Sequence, residues 1–335
     1  MGNLRVAVAG VTGAVGQEIL QVLESRQFPV GELVPLASPR SRGKKLRFRG
    51  EDVEVRVLDS DSLQGVDLAL FSAGSSTSKK FAPVAVARGA VVVDNSSAFR
   101  YESEVPLVVP EVNPGAVQKH QGIIANPNCT TIVMVVAIAP IHQLSSIRRI
   151  VASTYQAASG AGAKGMDALV RELEGAGAPS SCAPDSPFPH RLAGNLVPRI
   201  DDVQENGYTK EEMKMVWETQ KIMGLKEDIP ISATCVRVPV ERAHSESVQV
   251  TTEDALSLDD IRAAINAAPG VTVLDDPRQD HYPTPLDISG KDSVVVGRIR
   301  RHPIEPNTYD LWIVGDQIRK GAALNAVQIA EQVFC

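Results

Sequence analysis

Along the first hundred residues, short apolar runs alternate with stretches whose apolar residues recur at helical spacing. Residues 4–9 form an apolar run ending at Gly10, and residues 13–25 carry Val15, Ile19, Val22 and Leu23 three or four apart. The strand-like pattern returns at 33–37, 66–71 and 90–94, with a helix expected at 78–88. Strands alternating with helices predict parallel βαβ units and therefore an α/β domain. Residues 45–48 and 53–58 read as an inserted hairpin.

After Cys129 the pattern changes. Residues 147–156 and 235–252 are long alternating or β-branched stretches, and 293–301 and 308–314 read as two more strands joined by Pro303, Pro306 and Asn307. Helices fit 165–175, 210–223, 257–267 and 322–333. Strands with fewer intervening helices predict a second, α+β domain with an antiparallel or mixed sheet. The expected boundaries are 1–128 and 129–319, with the final helix, about 320–335, returning to the first domain. The proline-rich stretch 175–198 also holds Phe188, Leu192 and Leu196, and is expected to be an ordered excursion or an interface arm.

The bulk numbers narrow the partners. A chain of 335 residues suits two domains. The net charge of -6 argues against a nucleic-acid partner, while leaving room for a local basic pocket that takes a small anion. The four cysteines show neither CxxC pairs nor metal-ligand spacing, so no metal is expected, and their scatter fits a reducing cytosol. The strand-like run starts almost at the first residue, so no signal peptide is expected. The apolar run 132–140 is too short to span a bilayer. The expected address is cytoplasmic, without membrane attachment.

The candidate chemistry lies at turns. Gly10-Val-Thr12-Gly13-Ala14-Val15-Gly16 follows the first strand and opens the first helix. In a dinucleotide site the first glycine makes the tight turn, the second lets the backbone approach the pyrophosphate and the third lets helix and sheet pack closely. Free N–H groups at the helix N-terminus then face the anion. After the second strand, residues 36–44 contain no acid to take a ribose 2′-hydroxyl. Arg40 and Ser41 there suit a 2′-phosphate, which favours NADP over NAD.

Pro127 bars a helix through residues 124–131, so a helix is expected to begin just after the turn, with Cys129 at its N-terminus. The positive end of the helix dipole there favours a thiolate. A thiolate adds to an aldehyde to give a thiohemiacetal, which loses hydride to a nicotinamide and becomes a thioester. Cys182, Cys235 and Cys335 are read as structural. Arg237, a turn at Pro239 and His244 offer a cation and a general base to one cleft.

Together these segments resemble aspartate-semialdehyde dehydrogenase. The resemblance rests on Gly10–Gly16, Asn95-Ser-Ser-Ala-Phe-Arg100, Pro127-Asn-Cys-Thr-Thr131, Tyr155-Gln-Ala-Ala-Ser-Gly-Ala-Gly162, Phe188-Pro-His-Arg-Leu-Ala193, Arg237–His244 and Gly315-Asp-Gln317, in family order and over nearly the whole chain. It implies an N-terminal Rossmann-like dinucleotide-binding domain and a second α+β catalytic and dimerisation domain of mixed sheet. It makes Cys129 the nucleophile, His244 the acid/base and Gln156 the residue that orients the intermediate. Arg237 would fork onto the substrate α-carboxylate, Glu211 would face its ammonium, and Arg100 and Lys214 would bind phosphate. Gly10, Thr12, Gly13, Ala14, Val15, Gly16, Arg40, Ser41, Ser159, Gly160 and Gln317 would hold NADP.

Plainer readings stand beside these. Glu211 and Lys214 fit a solvated pair on a helix surface, Arg100 fits an ordinary surface charge, and Ser159-Gly160 fits a turn. Gly194 departs from the family pattern where a bulky apolar residue is expected, and Arg42 adds a charge to the cofactor loop.

The implied reaction takes L-4-aspartyl phosphate and NADPH to L-aspartate 4-semialdehyde, NADP and phosphate, in a homodimer that serves lysine, threonine and methionine synthesis. The alternatives are an N-acetyl-glutamyl-phosphate reductase, a glyceraldehyde-phosphate dehydrogenase and a non-catalytic NADP-binding sensor. The first usually shows Gly-Cys-Tyr where this chain has Asn128-Cys129-Thr130. The second lacks its sugar-phosphate contacts in order here. The third is opposed by the intact set Cys129, Gln156, Arg237 and His244.

Overall fold

The early apolar runs become the strands of one parallel sheet: β1 (Leu4–Ala9), β2 (Val30–Ala37), β5 (Arg56–Val57), β6 (Leu68–Phe71), β7 (Val91–Asp94) and β8 (Ile123–Ala125), in the order β5-β2-β1-β6-β7-β8. Between them lie α1 (Ala14–Ser25), α2 (Ser75–Ala87) and a two-stranded hairpin of β3 (Lys45–Phe48) and β4 (Glu51–Glu54). This is a computed structural model, and it describes residues 4–175, 182 and 185–335. All of β6 and the last four residues of β1 are buried. Such continuous burial belongs to a parallel sheet covered on both faces. β1 lies between β2 and β6, so the chain leaves it in opposite directions, and Gly10 sits at that switch point.

The hairpin differs from expectation at its second arm. Arg49 and Gly50 turn the chain with positive φ, so the return strand begins at Glu51. Residues 56–57 then leave the hairpin and pair with β2.

The second unit, Cys129–Gly321, is built on a mixed sheet. Its elements are α3 (Cys129–Leu144), β9 (Ile147–Gln156), α4 (Ala163–Glu174), α5 (Lys210–Met223), β10 (Ile231–Arg237), β11 (His244–Thr252), α6 (Leu258–Ala267), β12 (Val271–Val273), α7 (Pro285–Ile288), β13 (Val294–Arg301) and β14 (Thr308–Gly315). The order is β10-β9-β11-β14-β13-β12, with β9–β10 and β12–β13 parallel and the other pairs antiparallel. The expected stretch 235–252 is therefore two strands. Pro239 and the positive φ of Ala243 break it. α3, α5 and α6 pack on the sheet. α3 is buried all round from Thr130 to Ile141, as befits a core helix.

Of the proline-rich stretch, residues 176–181, 183 and 184 lie outside the described residues, and Pro179 and Pro184 with them. Phe188, Leu192 and Val197 join a small core with Ala158, Ala168 and Leu169, while Leu196 is exposed. Gly194 has φ of +74°, a conformation that a bulky residue would adopt only under strain, which explains its departure from the family pattern.

The chain ends in a π-helical turn, Arg319–Leu324, and α8 (Asn325–Phe334). Residues Ala322–Cys335 cluster with Met1–Asn128, where Val327 and Ile329 share a core with Val8, Leu20 and Leu23.

Candidate active site

In the first unit, Gly10 adopts φ of +85°, and a Cβ there would stand 2.2 Å from the Ser72 carbonyl oxygen. A Cβ at Gly16 would stand 2.3 Å from the Gly10 carbonyl oxygen, so both positions require glycine. The first turn of α1 carries no acid to oppose an anion. A cavity of about 470 Å³ opens here, lined by Gly10, Thr12, Gly13, Ser38, Leu58 and Phe81 among others. Thr12 Oγ1 lies 3.4 Å from Ser41 Oγ, and Arg40 is exposed beside it. These features fit a dinucleotide, with a phosphate at the end of β2.

The Asn95–Arg100 motif is organised by Asp94 at the end of β7. Its buried carboxylate accepts from Ser78 and Ser96 hydroxyls, each at 2.7 Å. Arg100 is buried rather than a surface charge, and donates to the carbonyls of Asn95 and Asn126.

In the second unit Cys129 is the first residue of α3, at its positive end. Cys129 Sγ lies 3.8 Å from His244 Nε2. Gly321 lets the π-helical turn come close, for a Cβ there would stand 2.8 Å from Cys129 Cβ. His244 is fully buried, and its Nδ1 accepts the Ala157 N–H at 3.1 Å. The neutral ring therefore carries its proton on Nε2, facing the sulfur. Burial first, and then the Arg237 guanidinium, bring its pKa down to about 3. With Nε2 protonated, the 3.4 Å approach of Gln156 Nε2 is a contact between two donors.

Gln156 ends β9 and gives its Nε2 protons to Glu211 Oε1 at 3.1 Å, while Thr154 Oγ1 donates to its Oε1 at 3.2 Å. Arg237 ends β10, opposite Gln156, and donates to the Ala157 carbonyl at 2.7 Å. Gly160 lies against both Arg237 and His244. A Cβ there would stand 2.5 Å from Arg237 Nη1, so its missing side chain keeps the guanidinium where it is.

Glu211 lies in the first turn of α5 and pairs with Lys214 Nζ at 2.9 Å. The pair fits the i,i+3 reading, but it is buried instead of solvated. Asp201, which the sequence analysis does not single out, also pairs with Lys214 at 2.9 Å. Burial opposes the Lys214 charge, but Glu211 and Asp201 outweigh it and hold the ammonium pKa above its ordinary value. Gln317 donates to the Ser159 hydroxyl and accepts the Ala243 N–H at 2.9 Å. Cys235 is buried against Met215, and burial, aided by Glu211, pushes its thiol up, away from reactivity. Among the described residues, no helix is long and apolar enough to cross a membrane.

The structure thus gathers Cys129, Gln156, Gly160, Glu211, Lys214, Arg237 and His244 in the second unit. A thiol against an imidazole suits acyl transfer, and a nucleotide fold in the same chain adds hydride transfer. That combination defines aldehyde dehydrogenases that pass through a cysteine thioester.

Comparison with known proteins agrees. Residues 5–120 match a family model described as semialdehyde dehydrogenase, NAD binding domain, and residues 138–320 match semialdehyde dehydrogenase, dimerisation domain. Aspartate-semialdehyde dehydrogenase of Synechocystis is 54% identical, covering 98% of this chain and 96% of the relative. That of Aquifex aeolicus is 52% identical, covering 98% and 97%. The crystal structure of aspartate semialdehyde dehydrogenase II from Vibrio cholerae, complexed with ASA, superposes with a TM-score of 0.94 at 45% identity, covering 99% of this chain and 98% of that one. The Candida albicans enzyme, solved with NADP, gives 0.76 at 26% identity, covering 99% and 98%. The chain belongs to the aspartate-semialdehyde dehydrogenase family.

Proposed function

We propose that this chain reduces L-4-aspartyl phosphate to L-aspartate 4-semialdehyde with NADPH, through a thioester on Cys129. The observation that carries the reading is the sulfur at a helix N-terminus, 3.8 Å from an imidazole that can only donate toward it. The Cys129 thiolate attacks the acyl phosphate and expels phosphate. Bound NADPH supplies a hydride to the acyl carbon. The resulting thiohemiacetal oxyanion re-forms the carbonyl and expels the sulfur as thiolate. His244 Nε2–H stabilises negative charge on sulfur and on that oxygen as a hydrogen-bond donor, and the oxyanion collapses to the aldehyde without taking a proton. Arg237 presents a guanidinium to the α-carboxylate, a bidentate contact lysine does not copy. Glu211 offers its carboxylate to the ammonium, and Gln156 orients the intermediate.

Arg100 and Lys214 would take the phosphate, with Lys214 exchanging one of its carboxylate partners to do so. Gly10, Thr12, Gly13, Ala14, Val15, Gly16, Arg40 and Ser41, with Ser159, Gly160 and Gln317, would hold NADP. In this reading residues 1–128 bind the dinucleotide, and residues 129–319 carry catalysis and dimerisation. The protein works as a homodimer in the cytoplasm, feeding lysine, threonine and methionine synthesis.

The test is phosphate-dependent reduction of NADP with aspartate semialdehyde, run beside N-acetyl-glutamate semialdehyde. Activity with the first aldehyde alone is expected, with near-complete loss in Cys129→Ala. Equal activity with both would reject the substrate assignment, and NADP binding without turnover would favour the sensor.

A further inference from the structure

Lys214 of α5 gives protons to two carboxylates: Asp201 Oδ2 and Glu211 Oε2 each lie 2.9 Å from its Nζ. Two carboxylates against one ammonium leave an excess of negative charge, which opposes a phosphate dianion arriving at the same nitrogen. One of them must give way if phosphate is to pair with Lys214.

The two are held differently. Glu211 sits in the first turn of α5, where the helix dipole favours it, and accepts from Gln156 Nε2 at 3.1 Å. Its side chain is 7% exposed. Asp201 lies in the loop before α5 with its side chain 31% exposed, and the other partner of its carboxylate among the described residues is the Asp202 N–H, at 3.0 Å. The backbone beside it is pinned to the start of α5. There the Asp202 carbonyl accepts the Lys210 N–H at 2.8 Å, and Val203 bridges Thr209. Asp201 has φ of +69°, a left-handed conformation that aspartate and asparagine enter more readily than other side chains. Its carboxylate can therefore leave Lys214 by turning about its own side-chain bonds while the loop stays in place.

A cavity of about 440 Å³ opens beside it, lined by Asp201, Asp202, Arg199, Arg237 and Phe188 among others. Burial opposes the Asp201 charge, but the hydrogen bond and the charge of Lys214 outweigh it and hold the carboxyl below its ordinary value. Asp201 thus presents Lys214 with what a phosphate would present, a negative oxygen at hydrogen-bond distance.

We propose that Asp201 sets the phosphate affinity of the site: its carboxylate stands in for phosphate on Lys214 and swings aside as phosphate takes its place, while Glu211 stays. Only the fraction of molecules whose Asp201 has let go takes phosphate, so the apparent affinity is lowered by that fraction. In the direction of aldehyde formation, where phosphate is a product, the returning carboxylate helps to expel it. The inference rests on the reading of Lys214 as a phosphate ligand given above.

The test measures the phosphate dependence of NADP reduction with aspartate semialdehyde in the full enzyme, for the parent, Asp201→Asn, Asp201→Gly, Lys214→Gln and the double variant D201N/K214Q. Asparagine tolerates the positive φ and can still accept the Asp202 N–H, but it carries no charge. D201N should lower KM for phosphate about twofold to fivefold, the worth of a partly exposed charge pair, and leave KM for the aldehyde unchanged. Sulfate, a tetrahedral dianion too weak as a nucleophile to release the thioester, should compete with phosphate, and its inhibition constant should fall by the same factor. K214Q should raise KM for phosphate, and the gain from D201N should shrink in that background, because the carboxylate has lost the cation it occupies.

A KM for phosphate that rises in D201N would make Asp201 a brace for Lys214 and overturn the proposal. So would an unchanged KM, an unchanged sulfate constant, or a gain undiminished in K214Q. Should D201N fail to fold, D201G decides by the same measurements, since glycine adopts positive φ freely. A parent enzyme without activity overturns this proposal and the functional reading together. An active parent that loses activity in Cys129→Ala, but whose phosphate KM does not fall in D201N, overturns this proposal alone.

Discussion

His244 accepts a backbone N–H at Nδ1, and that single bond determines what Cys129 meets. The ring is a neutral donor, kept so by burial and by Arg237, with its pKa brought down to about 3. In the free enzyme, kcat/KM should therefore show no histidine inflection near the ordinary value of about 6.5. An inflection there that disappears in His244→Ala would contradict this assignment. His244→Ala itself should slow turnover by a factor on the order of 10²–10⁴. Arg237→Lys keeps the charge but loses the fork, so KM for the aldehyde should rise with a smaller change in kcat. A normal KM would remove the carboxylate contact.

The elements hold these groups through their ends. Thr209 caps α5 in a reciprocal box with Glu212. Glu212 also accepts the Cys235 N–H at 3.0 Å, tying the start of α5 to β10. Glu211 sits in that same first turn, so its position depends on the cap. Thr209→Ala should cost about 0.5–2 kcal/mol. Thermal melts and KM read together check this: both should worsen, and a lower melting temperature with unchanged KM would separate Glu211 from the substrate.

Most elements were legible in the periodicity. β9 and α5 follow the expected bounds because their apolar spacing and flanking breakers agree. The row joining Arg237, Gln156 and His244 was not, because strand pairing brings together residues some eighty positions apart and no local period records it. Glu246, fully buried on β11, left a trace: Val248 and Val250 fix the inward face of that strand, and counting back by two reaches Glu246 and His244. Thr154 could be found in the same way from Gln156. Asp201 lies in a loop, where no period exists to mark it.

At the scale of the whole molecule, two buried groups pull stability in opposite directions with pH. The unfolded chain binds a proton on His244 below about 6.5 that the folded chain refuses until about 3. This contribution is complete above the unfolded value and is lost as pH falls, by about 1.4 kcal/mol per pH unit through that window. Glu246 does the reverse: the folded chain keeps a proton that the unfolded chain gives up above its ordinary carboxylate value, so stability declines as pH rises. Glu246→Gln removes only the second effect. The gain in melting temperature over the parent should therefore be small at pH about 4.5 and larger at pH about 8. An equal gain at both would show that Glu246 is not held protonated.

The two-unit plan was visible where strand–helix alternation gives way after Cys129, and the nucleotide cradle in the order strand, glycine turn, helix. The buried setting of Lys214 and Arg100 was not, since a charged residue in sequence looks the same whether solvated or enclosed. The most direct test of the whole account is mass spectrometry of the enzyme incubated with aspartate semialdehyde and NADP while phosphate is withheld. An acyl adduct on the peptide carrying Cys129, released when phosphate is added, is the predicted result. Turnover with no adduct on that sulfur, or an adduct that persists in Cys129→Ala, would contradict it.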